Sequence, residues 1–299
     1  MTNSDFPDKA ASLYRGMNQA TLERQYNARA SVPSFEAEQE ADARESTRVR
    51  LALPDCETVV YDQGSGEQLD LYGVAPDRPV FLWIHGGYWR GGSRQGNAFA
   101  AGGLVPNGVA VAVMDYTLAP AVGITEIVRQ VRAAVVWLHR HAAARGLRAD
   151  RIHVGGSSAG GHLVGMLLAD DWHADAGLQR HPIGAALALS GLFDLEPLQY
   201  TQVNDWMRFT PQEIAKNSPE RLIPARSQAS LIASVGGLET DEFRRQTVSY
   251  AQRWQHAGHA LERVDMPAFN HFDIARSLSQ PDGVLVRAVL QAIATVQGE

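Results

Sequence analysis

The chain has 299 residues, of which 45% are apolar and 20% are charged, and its formal net charge is −6 at pH 7. This balance is typical of a globular protein with a sizeable core. Nucleic acids and anionic membrane surfaces are bound through clustered Lys and Arg, and the sequence contains no such cluster. Neither partner is therefore expected, and a small-molecule or peptide-sized substrate is predicted instead.

The N-terminus and the cysteine content bear on cellular location. Residues 1–9 are polar and hold no apolar run after a positive charge, so they do not predict a signal peptide. The sequence contains no uninterrupted apolar stretch of about 18 residues or more, so no membrane span is predicted. Cys56 is the single cysteine, so the fold cannot depend on an internal disulfide, and we expect a cytoplasmic protein.

Residues 1–55 are rich in Glu, Arg, Gln and Ala, with apolar residues scattered among them. This pattern predicts one or two amphipathic helices ahead of the main fold, which we call the N-terminal arm. We treat the arm as part of the same domain as residues 56–299. Two roles are open to it: covering the mouth of an active site, or packing against a second copy of the chain in a homodimer.

Beyond the arm, short apolar runs alternate with longer amphipathic ones. Strands are predicted over residues 58–61, 68–72, 80–84, 109–114, 152–155, 185–190, 231–235 and 261–264, and helices over 125–144, 162–170, 241–256 and 284–296. Strands that are apolar on both faces and separated by helices predict a mostly parallel central sheet with helices on both faces, an α/β fold. No repeat or Pro/Gly-rich linker divides this part of the chain.

The stretch 155–161 reads GGSSAGG and joins a predicted strand to a predicted helix. It contains GxSxG with Ser158 at its centre, in the strand, turn and helix context of the nucleophile elbow of α/β-hydrolases. A plain Gly/Ser-rich loop is the alternative. A phosphate-binding loop is not favoured, because Gly161 and His162 stand where that motif needs Lys and Ser or Thr.

A second motif, residues 84–89 with the sequence IHGGYW, follows the most apolar predicted strand. A Gly-Gly turn there leaves backbone N–H groups available to a tetrahedral oxyanion. The oxyanion hole is predicted from four residues: Gly86, Gly87, Tyr88 and Ala159. His85 is interpreted as a brace for the loop. The two motifs lie about 70 residues apart, and together they indicate a serine hydrolase.

The predicted general base is His271, which lies in a loop between the last predicted strand and the C-terminal helix. In this fold the triad follows the chain order nucleophile, acid, base. His139 and His141 are two residues apart on a helical pattern and therefore lie on different faces of the helix, so they cannot share a metal or a substrate. Since no His/Cys/Asp set has metal-ligand spacing, neither a metal nor a cofactor is expected.

The acid should follow the strand 231–235, where the chain offers Glu239, Asp241 and Glu242. Glu239 is favoured because it is the third residue beyond the turn at Gly236. Asp241 remains the alternative acid. It is also explained as an N-terminal capping group of the helix that follows.

With these motifs in place, the chain resembles the kynurenine formamidase (arylformamidase) group of α/β-hydrolases, a neighbour of the hormone-sensitive-lipase-like esterases. The resemblance extends over most of the chain and is carried by residues 17–27, 85–89, 115–120, 156–162, 190–198, 239–246 and 271–272. Members of that group use a Ser-Asp-His triad with about the interval seen here between Glu239 and His271. This chain has Glu where the group usually has Asp.

The resemblance implies hydrolysis of N-formyl-L-kynurenine to formate and kynurenine without a cofactor. A broad-specificity short-chain carboxylesterase is the alternative. A catalytically silent binding protein with this fold would lack a triad member, and no member is missing from the sequence.

Candidate substrate-binding residues lie near these motifs. The aromatic candidates are Tyr88, Trp89, Phe193 and Trp206, for which core packing is the other interpretation. Arg90 and Asn270 are candidates for binding a carboxylate or an amino group, and the alternative for both is plain solvent exposure.

Overall fold

A computed structural model describes residues 12–169 and 171–297. The eight strands are β1 (Cys56–Asp62), β2 (Glu67–Tyr72), β3 (Pro79–Ile84), β4 (Ala110–Met114), β5 (Arg148–Ser157), β6 (Ile183–Leu189), β7 (Ser230–Gly236) and β8 (Leu261–Met266). They form one sheet in the order β1-β2-β4-β3-β5-β6-β7-β8. Pairings β1-β2 and β2-β4 are antiparallel and the others are parallel. The predicted mostly parallel sheet is confirmed.

Helices cover both faces of this sheet. The α-helices are α1 (Gln19–Gln25), α2 (Phe35–Ala52), α3 (Ala101–Leu104), α4 (Ile124–His141), α5 (Ala159–Leu168), α6 (Trp172–Asp175), α7 (Asn204–Met207), α8 (Pro211–Lys216), α9 (Asp241–His256), α10 (Asp273–Arg276) and α11 (Val284–Gln297). None of the helices in the described ranges is long and apolar enough to cross a membrane.

The side-chain alternation of β3 shows how the two faces are filled. Every residue of β3 is buried, and because successive strand residues point to opposite faces, Leu82 joins one hydrophobic core and Trp83 the other. Helices α4, α5 and α9 pack on the first face, and α2, α3 and α11 pack on the second. This is the arrangement predicted for a strand that is apolar throughout.

Three helix ends differ from the prediction by two or three residues. The helix predicted over 125–144 ends at His141, because a 3₁₀ turn and then the left-handed Gly146 follow it. The helix predicted over 162–170 begins at Ala159, directly after the GxSxG serine, and ends at Leu168. Asp170, its predicted last residue, lies outside the described residues.

The described part of the arm carries the helices α1 and α2. Asn18 and Ser34 cap them through side-chain oxygens that accept a backbone N–H. Helix α2 lies against the segment that follows the HGGYW loop, where Ser46 Oγ donates a hydrogen bond of 2.8 Å to the carbonyl of Gly96. Residues 1–11 of the predicted arm lie outside the described residues.

The segment between β6 and β7 holds short helices that the sequence did not predict, α7 and α8 among them. Helix α8 begins with a capping box formed by Thr210 and Glu213. The indole N–H of Trp206, in α7, donates to the carbonyl of Tyr88 at 3.1 Å. This segment therefore reaches the HGGYW loop.

Candidate active site

Ser158 occupies a strained turn between β5 and α5. Its φ is 58° and its ψ is −119°, and its N–H donates to the carbonyl of Leu189 at 2.9 Å. A Cβ on Gly160 would lie 2.0 Å from the carbonyl oxygen of Ile84, and one on Gly156 would lie 2.5 Å from the backbone of Gly160. Because only glycine tolerates such close approach, the motif fixes Ser158 at the end of the sheet.

The HGGYW loop lies directly against this turn. A Cβ on Gly86 would lie 2.8 Å from the carbonyl of Ser157 and 3.2 Å from Cβ of Ser158. Gly87 has a φ of +101°, and Tyr88 and the next residue also have positive φ values of 49° and 55°. Such conformations are rare outside glycine and cluster at functional sites.

The loop leaves backbone donors free beside Ser158. No residue in the described ranges accepts a hydrogen bond from the N–H of Gly87 or Tyr88. Ala159 is the first residue of α5, where an N–H has no acceptor within its helix. Backbone N–H groups that are free beside a nucleophile are of the kind that can bind an oxyanion, so the predicted oxyanion hole stays a prediction that this geometry permits.

His85 braces the loop, as its position in the motif indicated. Its ring stacks on Tyr116 at a centroid distance of 4.3 Å, and Nδ1 donates to the carbonyl of Gly86 at 2.8 Å. Burial lowers the pKa of His85, so the ring is neutral. The hydroxyl of Tyr116 donates to the His85 carbonyl at 3.0 Å.

The structure brings Glu239 and His271 together, both buried. His271 Nδ1 donates to Oε2 of Glu239 at 2.5 Å. The other carboxylate oxygen, Oε1, accepts from Ser190 Oγ at 2.5 Å and from the N–H of Gly236 at 2.7 Å. With Nδ1 committed as a donor, Nε2 of His271 is the ring nitrogen left to accept a proton.

Asp241 does not reach this site. Its side chain is 75% exposed and forms an ion pair with Arg244. Asp241 lies in the first turn of α9, as predicted, where a negative charge interacts favourably with the helix dipole. It makes no capping hydrogen bond, because the N-cap residue is Thr240 and no side chain accepts from the backbone there.

Ser158 and His271 line the same cavity of about 230 Å³. No hydrogen bond joins Ser158 Oγ to His271 among those that the described residues form. Catalytic hydrogen bonds are often long in unliganded enzymes and shorten when substrate binds. Phe35, Tyr88 and Phe272 give the cavity an aromatic lining.

The predicted substrate-binding residues separate into two groups. Tyr88 lines the cavity, and it also lines an adjoining outer groove of about 800 Å³ with Arg90 and Trp206. Trp89 and Phe193 are fully buried and line neither space. Their assignment to substrate binding is wrong.

The buried aromatic residues belong to the core. The Trp89 ring meets His162 edge to face at a centroid distance of 5.0 Å. Phe193 stacks on Tyr250 at 4.1 Å. Trp89 ends the HGGYW motif and Phe193 lies four residues beyond β6, and both side chains are buried in the core.

Asn270 is also outside the linings of both spaces. Its Nδ2 donates to Glu38 at 2.8 Å, and its Oδ1 accepts from the N–H groups of Phe272 and Asp273 at 2.8 and 3.0 Å. Asn270 therefore shapes the loop that carries His271, and its assignment to substrate binding stays a prediction.

The arm supplies cavity residues that the sequence analysis missed. Arg29, Phe35, Gln39 and Asp42 line the cavity with Ser158. The sequence analysis left open that the arm covers the mouth of an active site, but it named none of these residues, and the resemblance over residues 17–27 ends before them. Long-range contacts of this kind leave no local pattern.

The arm also ties the two catalytic loops together. The Tyr88 hydroxyl donates to the carbonyl of Tyr26, while Thr240 Oγ1 donates to the carbonyl of Gln25 at 2.6 Å. The N–H of Glu242 donates to Oε1 of Gln25 at 3.1 Å. Two consecutive arm residues thus join the oxyanion loop to the segment that follows Glu239.

Across residues 12–169 and 171–297, no group of three or more His, Cys, Asp or Glu side chains is arranged to hold a metal ion.

Comparison with known proteins agrees with this geometry. The BD-FAE family model matches residues 69–228. The kynurenine formamidase of Salmo salar is 30% identical, over 94% of this chain and 98% of that protein, and the kynurenine formamidase of Danio rerio is 29% identical over 94% and 99%.

Solved structures show the same fold. A putative thioesterase from Silicibacter has a TM-score of 0.77 with 26% identity, covering 90% of this chain and 98% of that one. An esterase from the archaeon Pyrobaculum calidifontis has a TM-score of 0.69 with 18% identity, covering 94% and 96%. The predicted resemblance is confirmed: the chain is an arylformamidase-like α/β-hydrolase that belongs to the BD-FAE family and to the kynurenine formamidase family.

Proposed function

We propose that the enzyme hydrolyses N-formyl-L-kynurenine or a closely related aryl formamide through an acyl-enzyme formed on Ser158. The observation that carries the proposal is the buried contact of 2.5 Å between His271 Nδ1 and Glu239, in a site whose cavity also contains Ser158. Two relatives named kynurenine formamidase match nearly the whole chain. Their name supplies the substrate class.

In the first step, Ser158 Oγ attacks the formyl carbon while Nε2 of His271 takes the hydroxyl proton. Glu239 stabilises the imidazolium that forms. The negative charge on the former carbonyl oxygen is bound by backbone N–H groups of Gly87, Tyr88 and Ala159, with Gly86 positioning the loop.

The tetrahedral intermediate then collapses. The C–N bond breaks, the imidazolium of His271 protonates the departing aryl amine, and the formyl group stays on Ser158 as an ester. Water, deprotonated by the same imidazole, attacks this ester; the C–O bond to Ser158 breaks, the imidazolium returns a proton to Ser158 Oγ, and formate is released. Each half of the reaction leaves the imidazole neutral again, so no cofactor is needed.

The size and lining of the cavity support a small acyl group next to an aromatic ring. A volume of about 230 Å³ is below the range of about 300–1,000 Å³ that ligand sites usually have. Aromatic side chains favour stacking with an aryl leaving group. A bulky acyl chain has little room beside Ser158.

The same machinery cleaves esters, so a short-chain carboxylesterase is the second candidate. The test is a comparison of kcat/KM for N-formyl-L-kynurenine with kcat/KM for short p-nitrophenyl esters, on one preparation. We expect the formamide to be preferred at least about tenfold, since a tenfold preference needs only about 1.4 kcal/mol of transition-state binding. Ester hydrolysis without formamide turnover would assign the chain to the carboxylesterases.

Location and assembly are further parts of the proposal. The single cysteine supports a cytoplasmic enzyme, and the net charge of −6 supports a small-molecule partner over nucleic acid or an anionic membrane. Size-exclusion chromatography with light scattering tests for the homodimer, which nothing in the site requires.

A further inference from the structure

We propose that Arg29, in the arm, binds an anionic group of the substrate at the mouth of the active site. The group is a carboxylate on the leaving-group side, remote from the bond that is cleaved. This inference rests on the proposed function, because it assigns one end of the same substrate to a residue of this chain.

The position of Arg29 is the first argument. It lies in the 3₁₀ turn Ala28–Ser31, between the two arm helices. Its side chain lines both the cavity that contains Ser158 and the outer groove. Because the cavity is small, the remote end of any substrate larger than a simple aryl formamide must extend toward that groove, past Arg29.

The second argument is the state of the guanidinium. Arg29 Cζ lies 4.5 Å from the ring centroid of Phe35, and stacking of this kind holds the plane of the guanidinium while its edge N–H donors stay free. Arg29 is exposed. In the described part of the chain, no carboxylate forms an ion pair with it and no group accepts a hydrogen bond from it.

Arg276, near the same cavity, shows the contrast. Its guanidinium donates to Glu38 at 2.6 Å and also to Asp42, a carboxylate that lines the cavity. The positive charge of Arg276 and the negative charge of Asp42 are thereby paired within the protein. Arg29 keeps its donors for a ligand.

The outer groove has a second guanidinium in the same state. Arg90 Cζ lies 4.8 Å above the ring of Trp206, and no ion pair with a carboxylate of the described residues engages it. The groove's carboxylates are engaged locally: Glu23 accepts from a backbone N–H at 2.6 Å and Glu36 from Ser34 Oγ at 3.2 Å. The free donors of this groove therefore suit an anion, and Arg29 is the one that also reaches the cavity.

The experiment uses two substrate pairs that differ only in charge. One pair is N-formyl-L-kynurenine and its α-carboxamide. The other pair is the acetate ester formed on the phenol of a hydroxyphenylpropanoic acid, and the same acetate ester with the carboxylic acid replaced by a primary amide. Cleavage of this second pair breaks an ester and needs no formamide bond. The variants are Arg29→Gln and Arg29→Lys, with Arg24→Gln as control, since Arg24 is exposed on α1 and donates only to Thr21.

Wild-type enzyme should prefer the carboxylate member of each pair. In Arg29→Gln, kcat/KM for that member should fall about 10- to 100-fold, the range expected for a charge-assisted hydrogen bond. The loss on the carboxylate member should appear mainly in KM. For the amide member, kcat/KM should change by no more than about threefold. Arg29→Lys should be intermediate, because lysine keeps the charge but not the planar fork. Arg24→Gln should match wild type.

Three results would overturn the assignment: a wild-type enzyme that does not distinguish acid from amide, an Arg29→Gln variant that keeps the preference, or equal losses on both members of a pair. Loss of formamide turnover alone, with Arg29-dependent selectivity kept on the esters, would refute the proposed function and leave the anion site standing.

Discussion

The cavity has two walls that are built differently. The inner wall is formed by loops at the carboxyl ends of the strands, where Ser158, Glu239 and His271 are buried and Glu239 makes three hydrogen bonds. The outer wall comes from the arm, where Arg29 is exposed and Phe35 is half-buried. Groups that stabilise a charge as it develops in the transition state need a fixed geometry. Groups that select a substrate need only be free to bind it.

The sharpest test of the inner wall is Ser158→Ala. We expect kcat to fall by a factor of about 10⁴ or more with the fold intact, since a nucleophile contributes to rate and little to stability. The measurement is kcat on N-formyl-L-kynurenine together with the thermal unfolding midpoint.

Ser157→Ala is the matched control. Ser157 adjoins the nucleophile and lines the same cavity, but its place is the last residue of β5, and its loss should be mild. A Ser158→Ala enzyme that keeps a tenth of wild-type activity would exclude Ser158 as the nucleophile. A Ser157→Ala enzyme without activity would shift the elbow by one residue.

Glu239→Gln should lower kcat by up to about 10⁴, because the amide presents a donor or a weaker acceptor to His271 Nδ1 and no longer balances the imidazolium charge. The variant should fold, since the amide is neutral and keeps an oxygen for Ser190 and the N–H of Gly236. Steady-state kinetics and urea unfolding measure the two effects separately.

Asp241→Asn provides the comparison for the acid. It removes an exposed ion pair with Arg244, which is worth about 0–1 kcal/mol, and should leave kcat unchanged. If this variant were the slow one and Glu239→Gln were active, the acid would have to be reassigned to Asp241.

Acid should weaken the hydrolase core through His162, which follows the nucleophile turn. The ring is fully buried, its Nε2 donates to the carbonyl of Asn217 at 2.7 Å, and burial lowers its pKa from 6.5 to about 4. Between pH 6.5 and pH 4 the unfolded chain binds a proton on this ring that the folded chain does not. The contribution of His162 to the free energy of unfolding is therefore fully present above pH 6.5 and falls as the pH drops toward 4.

Urea unfolding of wild type and His162→Gln at pH 7 and pH 5 tests this. The stability difference between them should shrink by about 2 kcal/mol at the lower pH. His256→Gln, which alters an exposed ring, should show no such pH effect. If the difference in unfolding free energy between wild type and His162→Gln is the same at both pH values, this ring is not the acid-sensitive group.

A small effect on kcat is expected from Tyr26→Phe, in the arm. The Tyr26 hydroxyl donates to Glu242 at 2.7 Å and accepts from Gln246 at 2.8 Å, all buried. Its removal should cost about 1–3 kcal/mol of unfolding free energy and change kcat only a few-fold, since it touches no reacting atom. A large loss of kcat at unchanged stability would instead give the arm a direct part in the chemistry.

The sequence predicted the inner wall because each of its parts has a local signature. All eight strands form within a few residues of their predicted positions, because a short β-branched or apolar run bounded by turn residues can be recognised without knowledge of the rest of the chain. The outer wall had no such signature. Phe35 and Asp42 reach the cavity because α2 packs against the segment that follows the HGGYW loop, and an amphipathic pattern does not predict which element a helix will pack on.

The two aromatic errors have the same origin. Trp89 and Phe193 stand beside motifs, and nearness in sequence predicted nearness to substrate. The positive φ values at Tyr88 and Trp89 turn one side chain toward the cavity and the next into the core. A backbone reversal of this kind cannot be deduced from residue types alone.

The cavity-lining part of the arm has a consequence for protein engineering. Arg29, Phe35, Gln39 and Asp42 all lie within 14 consecutive positions, in a segment that holds none of the three proposed triad residues. A library or a homologue exchange confined to residues 29–42 would thus vary the substrate range as a single cassette. The strand-end loops would keep their sequence, provided that Glu38, which accepts a hydrogen bond from Asn270 in the His271 loop, is held fixed.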